Sequence, residues 1–193
     1  MGFPSVLSFA HKLVAERIQP GEFAVDATAG TGADALFLAG ICGLRGHVYA
    51  FDIQPEALQL TRDRLDKETS GRLSTVTLLL KSHAEMRAAL PNETHGKLGA
   101  VMFNLGYLPA AEADHAVITS PNSTIPALDQ ALGLLKPKGI LTAVLYPGHP
   151  GGREEAEAVE AWAAALPQAV GQVIIYRQLQ KPDSPYLIAV EKK

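Results

Sequence analysis

Val25-Asp26-Ala27-Thr28-Ala29-Gly30-Thr31-Gly32-Ala33-Asp34 joins a short apolar run, Phe23 to Thr28, to a helical pattern that begins at Gly32. The run is too short for a helix and is preceded by the turn pair Pro20-Gly21, so it reads as a buried strand. Gly30 and Gly32 give the joint the freedom to turn tightly and to approach a ligand. The spacing Gly30-x-Gly32-x-x-Ala35 satisfies the fingerprint G-x-G-x-x-G/A, which many nucleotide-binding folds share. Asp26 narrows the choice. A carboxylate four residues before the first glycine repels a pyrophosphate and suits a ligand with a cationic amino group and no phosphate. The plainer alternative is a turn cap. Ala27, Thr28, Gly30, Gly32, Asp34 and, further along, Asn104 join Asp26 as expected cofactor contacts.

Outward from this joint the pattern alternates. Ser5 to Ile18 carries a helical stripe (Val6, Phe9, Ala10, Leu13, Val14, Ile18) with Ser5 as N-cap. Helices are predicted over 32–44, 55–67, 84–90, 125–135 and 153–166. The intervening strands are predicted at 23–28, 47–52, 76–80, 98–103 and 140–146. Two further strands, 173–176 and 186–190, have no helical pattern between them and are expected to pair antiparallel. Such alternation implies an α/β fold with a mostly parallel, doubly wound sheet of seven strands covered on both faces. Right-handed crossovers gather the strand-end loops on one edge. Five βα units followed by a hairpin is the layout of class I S-adenosylmethionine (SAM) methyltransferases, which are Rossmann-like. A nicotinamide-binding fold normally continues with a sixth parallel strand and a separate substrate domain.

The bulk composition sets limits. A chain of 193 residues, 47% hydrophobic and 19% charged, fits one domain of ordinary size over 1–193. No apolar run approaches the roughly 20 residues of a membrane helix. Met1 to Ser5 lacks the basic and apolar blocks of a signal peptide, and Val6 stands where a myristoylation site wants Ser or Thr. The single cysteine, Cys42, excludes an internal disulfide, suits a reducing, cytoplasmic setting, and reads as a buried thiol amid Leu38, Ala39, Ile41 and Leu44. The histidines show no metal spacing, so no metal is expected. Net charge −3 and a pI of about 6.1 are not those of a bulk nucleic-acid binder, so any RNA contact must be local. Arg153, Arg177 and Lys181 are candidates for that patch, and a homodimer would enlarge it.

Three other strand ends add chemistry. Asp52 lies 20 residues after Gly32, where a carboxylate can accept both hydroxyls of a ribose. Ile53 and Gln54 would flank an adenine. Ser82-His83 follows the third strand and either meets the adenine ring or is a loop pair without a ligand. SAM carries a ribose, a sulfonium, an amino group and a carboxylate, and fits Asp26 and Asp52 together. The fourth strand ends in Asn104-Leu105-Gly106-Tyr107-Leu108-Pro109. Amino-directed methyltransferases carry Asn/Asp-Pro-Pro-Tyr at this place. There the Asn104 side-chain oxygen and the Leu105 carbonyl can accept N–H bonds from an amine, and Tyr107 can stack on the substrate. In-line methyl transfer depends heavily on such positioning. The fifth strand leads into Tyr146-Pro147-Gly148-His149-Pro150-Gly151-Gly152, a glycine-rich wall. Tyr146, Gly106 and Gly148 can line a substrate pocket, and His149 can take a proton from the amine. Ser120, Ser123 and Thr124 fall in a polar loop over the same side. A nicotinamide-dependent oxidoreductase and a non-catalytic SAM- or RNA-binding module remain the alternatives of other classes.

These blocks, in this order, resemble the small bacterial family long labelled as rRNA methylases. The resemblance rests on Val25 to Gly32, Phe51-Asp52-Ile53-Gln54, Ser82-His83, Phe103 to Pro109 and Tyr146-x-Gly148-His149-x-Gly151, and spans nearly the whole chain. Two departures stand out: Thr31-Gly32 where the family usually has Asn-Gly, and Gln178 to Lys181 where it often has an Asn. The resemblance implies a SAM-dependent RNA methyltransferase. Some members methylate the 5-aminomethyl group of the tRNA wobble 2-thiouridine, and rRNA is the other substrate it implies. A primary alkylamine needs no nucleophilic cysteine, in keeping with a chain whose one thiol is expected to be buried.

Overall fold

The computed structural model describes residues 2–106, 108 and 117–193. Its strands are β1 Phe23–Asp26, β2 His47–Asp52, β3 Thr75–Leu80, β4 Leu98–Leu105, β5 Leu135–Leu145, β6 Gly171–Tyr176 and β7 Tyr186–Lys192. The α-helices are α1 Val6–Ala15, α2 Ala33–Cys42, α3 Pro55–Asp66, α4 Met86–Ala89, α5 Pro121–Leu134 and α6 Gly152–Ala165. The strands form one sheet in the order β3-β2-β1-β4-β5-β7-β6. β1 to β5 are parallel, whereas β7 runs antiparallel to both β5 and β6. The expected hairpin therefore exists, and β7 fills the gap left when the chain crosses from β5 to β6 through α6.

Burial follows from this order. The central strands β1, β2 and β4 are covered on both faces and are almost wholly buried, whereas β3 and β6 lie at the edges and stay half exposed. One face packs Val25, Phe51, Val101, Phe103, Leu105 and Leu145 against α4, α5 and α6. The other packs Ala24, Val48, Ala100, Met102 and Val144 against α1 and α2, with Ala50 beside α2 and α3. Fully buried Phe51 and Phe103 each contribute about 1.5–3 kcal/mol by leaving water.

The local signals mostly act as read. Ser5 caps α1, its Oγ accepting the Ser8 N–H at 3.1 Å. The helix stops at Ala15, three residues before the predicted end at Ile18. Pro55 opens α3 as its first residue. Three differences bear on the site. β4 continues two residues past the apolar run, because Asn104 and Leu105 still pair with Val144 and Leu145. α5 begins at Pro121, four residues before the predicted start, and keeps Pro126 in its interior. Pro121 at the first helical position needs no N–H partner, so the helix starts there. Ser123 and Thr124 consequently sit on its first turn rather than in a loop. The helix predicted over 84–90 divides into a 3₁₀ turn, His83–Glu85, and the short α4.

Strand parity then selects one face. Side chains alternate along a strand. Ala24, Val48, Ala100, Met102 and Val144 belong to the core beneath α1 and α2, and all are even-numbered. Asp26, Asp52, Asn104 and Tyr146 share that parity, and Tyr146 packs against the same cluster. The polar strand ends thus emerge together on the α1–α2 side of the carboxyl edge. β1 and β4 meet where the strand order reverses, the switch point at which open α/β sheets bind ligands.

Candidate active site

A cavity of about 540 Å³ opens at this edge. Its floor is the β1–α2 joint, pinned between neighbours by Ala27 N–H to Met102 O (2.8 Å) and Ala29 N–H to Phe51 O (2.8 Å). Gly30 and Gly32 adopt φ +53° and +79°. Gly30 lines the cavity. Gly32 does not: a Cβ there would stand 2.7 Å from Cα of Thr61 on α3. Its lack of a side chain serves helix packing, which corrects the expectation that it approaches the ligand.

Asp52 closes β2 with both oxygens engaged, Oδ2 accepting the Gly30 N–H and Oδ1 the Gln54 N–H, each at 3.0 Å. Burial raises its pKa, and the amides of Gln54, Gly30 and Ile53 oppose that shift. The carboxylate is therefore a fixed acceptor on the cavity wall, with Ile53 and Gln54 beside it. Ser82 and His83 also line the wall. The Ser82 hydroxyl caps the following turn, with Glu85 returning the bond in a capping box. His83 is buried, packs edge-on to Phe103 at 5.8 Å, and has its pKa lowered chiefly by that burial, so it faces the cavity as a neutral ring.

Asp26 is placed differently from expectation. It is fully buried and lies behind the wall rather than on it. Oδ1 accepts the Thr28 N–H at 3.1 Å, and Oδ2 has no hydrogen-bond partner. The amides of Thr28 and Ala35 oppose ionisation's cost only in part. Burial first and Asp34 second push its pKa well up. The carboxylate on the wall is Asp34, in the first turn of α2. Asp34 Oδ1 meets His11 Nε2 of α1 at 2.6 Å, and its Oδ2 accepts the Nδ2–H of Asn104.

Asn104 sits over this carboxylate. Its backbone N–H donates to Thr28 Oγ1 at 2.7 Å, and its Oδ1 accepts from the Tyr146 hydroxyl at 3.3 Å. The bond to Asp34 fixes the amide's sense, since a carboxylate only accepts. The oxygen of Asn104 is thereby turned toward the Tyr146 side. Burial, then Asp34, raises the Tyr146 pKa, so the phenol stays protonated. Leu105 has the opposite parity and its side chain is buried under α5 and α6, so only its backbone can meet a substrate. Tyr107 lies outside the described residues.

Gly106, Tyr146, Gly148 and His149 also line the cavity. His149 Nδ1 meets the Pro150 carbonyl at 2.9 Å and, since a carbonyl only accepts, is the donor of that bond. Nε2 stands 3.5 Å from where a Cβ on Gly106 would lie. Buried Glu155 of α6 accepts from the hydroxyls of Thr119 and Thr124, each at 2.6 Å, and the Thr119 N–H donates to the Gly106 carbonyl at 2.9 Å. This pins the substrate-side loop to α6. Sequence reading missed His11, Leu7, Thr119, Glu155 and Asp183. A capped amphipathic helix whose polar face carries His11 gives no hint that this face meets the β1–α2 joint. Of the expected RNA patch of Arg153, Arg177 and Lys181, the two arginines are paired with Asp183 and Glu160. Among the described residues no group of side chains could hold a metal, and no helix is long and apolar enough to cross a membrane.

Asp34, Asp52 and Asp183 line the cavity, and the lining among the described residues includes a single Lys, Lys81, and no Arg. Buried Asp26 carries an unpartnered oxygen. That electrostatic character opposes a pyrophosphate and fits an ammonium and a sulfonium. Sheet order, antiparallel seventh strand and anionic cavity define a class I SAM-dependent methyltransferase. The chain belongs to the family described as "Putative rRNA methylase", whose model matches residues 48–191. It is 36% identical over 190 residues to the tRNA (mnm(5)s(2)U34)-methyltransferase, chloroplastic, of Arabidopsis thaliana, covering 95% of this chain and 68% of that protein. A protein from Clostridium thermocellum, described as a putative rRNA-methylase, superposes over 100% of both chains with a TM-score of 0.90 at 35% identity. SMU.1697c, a putative methyltransferase of Streptococcus mutans solved with S-adenosylhomocysteine, does so with 0.86 at 30%, again over 100% of both. The expected cofactor, SAM, and the expected enzyme class stand.

Proposed function

We propose that the protein N-methylates an aminomethyl group on RNA, with the 5-aminomethyl group of the tRNA wobble 2-thiouridine as the substrate. The observation that carries this reading is the commitment of the Asn104 amide nitrogen to Asp34. It leaves the Asn104 oxygen, with the Leu105 carbonyl, as acceptors at a strand end on an anionic cavity. Such a site receives a group with N–H bonds to donate and a positive charge to place. The similarity to the Arabidopsis tRNA enzyme supports the choice of tRNA. The family description supports rRNA as the second reading.

Asp52 would hold the ribose of SAM, and Asp34 with the joint around Thr28 and Gly30 its amino-acid end. Bound SAM supplies a methyl group on a sulfonium. The chain's own residues prepare the amine. An alkylamine arrives as an ammonium, since such groups ordinarily titrate near 10.4. His149 Nε2 accepts one proton, and Asn104 Oδ1 holds a remaining N–H. The nitrogen lone pair is thereby left free and aimed by two fixed bonds. Tyr146 orients the Asn104 oxygen and borders the amine. No cysteine nucleophile is needed, and Cys42, buried at the end of α2 with its thiol pushed up to about 12, is not available as one.

The test is to incubate the protein with SAM and, side by side, tRNA bearing 5-aminomethyl-2-thiouridine and rRNA lacking its methyl groups. A mass gain of one methylene on the wobble nucleoside is expected. Methylation of rRNA alone would transfer the reading to the second substrate.

A further inference from the structure

His11 takes no part in the chemistry above, yet its Nε2 meets Asp34 Oδ1 at 2.6 Å while Asn104 bonds the other oxygen. We propose that His11 is a positioning residue: it holds Asp34, and Asp34 holds the Asn104 amide with its oxygen toward the substrate. The proposal rests on the reading that Asn104 accepts the amine N–H.

Asp34 is the second residue of α2, where a carboxylate ordinarily turns back to the first amides of its own helix. Here both oxygens look away, one to His11 and one to Asn104. A carboxylate accepts only, so His11 Nε2 and Asn104 Nδ2 are both donors. The His11 ring cannot swing away, because it lies flat on Phe37 of α2, with centroids 3.9 Å apart and planes 2° apart. Its helix is anchored by buried Ala10, Leu13 and Val14. The linkage matters because an asparagine amide rotates in a broad, roughly two-fold well. Reversed, Asn104 would present its NH₂ group to an amine that also donates. Against that reversal stand the charge-assisted bond to Asp34 and the long bond from Tyr146. Once Asp34 loses His11, it is free to turn to the helix amides, and Asn104 keeps only the weaker restraint.

The experiment follows the Asn104 side-chain NH₂ resonances, assigned by their disappearance in Asn104→Ala, in wild type, His11→Phe and His11→Gln. His11→Phe keeps the stack on Phe37 and removes the donor, whereas His11→Gln restores one. In His11→Phe the Asn104 pair is expected to shift toward solvent-like values. Its kcat should fall about 10–100-fold, the scale of loss from misplaced reacting groups, and by more than its SAM affinity by calorimetry, since Asp34 is also assigned to the amino-acid end of SAM. His11→Gln should recover most of both signals. Unshifted resonances in His11→Phe, equal losses in the two variants, or SAM affinity falling as far as kcat would each overturn the proposal. The resonances are read without RNA. Failure of the underlying reading, seen as an unaltered kcat in Asn104→Ala, is therefore distinct from failure of the His11 linkage.

Discussion

Asp26 shows how a single residue opposes the stability of the protein that carries it. In an unfolded chain its carboxyl titrates near the ordinary value of about 3.9. Folding raises that value through burial and the neighbouring Asp34 charge. As pH rises, the unfolded chain releases the proton first, so stability falls from about pH 4 upward until the folded group has also ionised. Asp26→Asn should therefore be more stable than wild type at pH 7 and equal to it at pH 3. Thermal melts at the two pH values decide this; a variant less stable at pH 7 would mean that the buried charge is compensated. Asn104→Ala is expected to keep SAM affinity by calorimetry while losing at least about 100-fold in kcat, the scale of a lost fixed donor or acceptor at a reacting centre. The two residues also mark what was legible beforehand. Asn104, Asp52 and Tyr146 were readable because a strand end and its parity fix where a side chain emerges. Asp26 shared that parity, but the chain alone does not disclose that the loop after it folds over and puts Asp34 on the wall instead.

Among the elements, α6 does most to build the substrate side. Glu155 is buried in its first turn and accepts from two threonine hydroxyls contributed by the 117–120 segment and by α5. Glu155→Gln exchanges one acceptor for a donor and strands a hydroxyl, at a cost of about 1–3 kcal/mol. Denaturant melts measure that cost, and a rise in KM for RNA larger than any change in SAM affinity would assign it to the substrate wall. Gly32 at the head of α2 is the counterpart on the cofactor side. Gly32→Ala forces a left-handed φ on a residue with a Cβ and drives that atom toward the Thr61 backbone, so a loss of about 2 kcal/mol or more is expected. A melting temperature unchanged by this substitution would show that α3 can retreat. The glycine spacing was visible in the chain, but its partner was not, because Thr61 lies in a helix that periodicity places only as an amphipathic element. The α5 start was misread for a related reason: Pro126 looks like a breaker, whereas the helix absorbs it six residues in.

At the scale of the whole molecule, the fold separates two cofactor chemistries that share a fingerprint. Gly30-x-Gly32-x-x-Ala35 admits a dinucleotide, but the assembled cavity gathers Asp34 and Asp52 on its wall with Asp26 behind them. SAM at 100 times its Kd should add about 2.7 kcal/mol to the unfolding free energy, while NADH at the same concentration leaves the melting curve where it was. Stabilisation by NADH alone would revive the oxidoreductase reading. The layer arrangement was legible because strand and helix periods alternate so regularly. The insertion of β7 between β5 and β6 follows from pairing geometry over distances the local pattern does not encode.

That insertion also governs the order in which the molecule can be completed. Among the described residues β6 has no sheet neighbour except β7, and β5 presents an unpaired edge until β7 arrives. α1 rests on β5 and β7, and Arg17 just beyond it is tied to Glu191 at 2.7 Å. The first helix in chain order therefore waits for the last strand, the largest sequence separation the fold contains and the slowest kind of contact to close. Refolding should show β1 to β4 protected from hydrogen exchange before α1. The cavity at the carboxyl edge, whose Asp34 is held by His11 on that helix, is then the final part of the protein to acquire its working form.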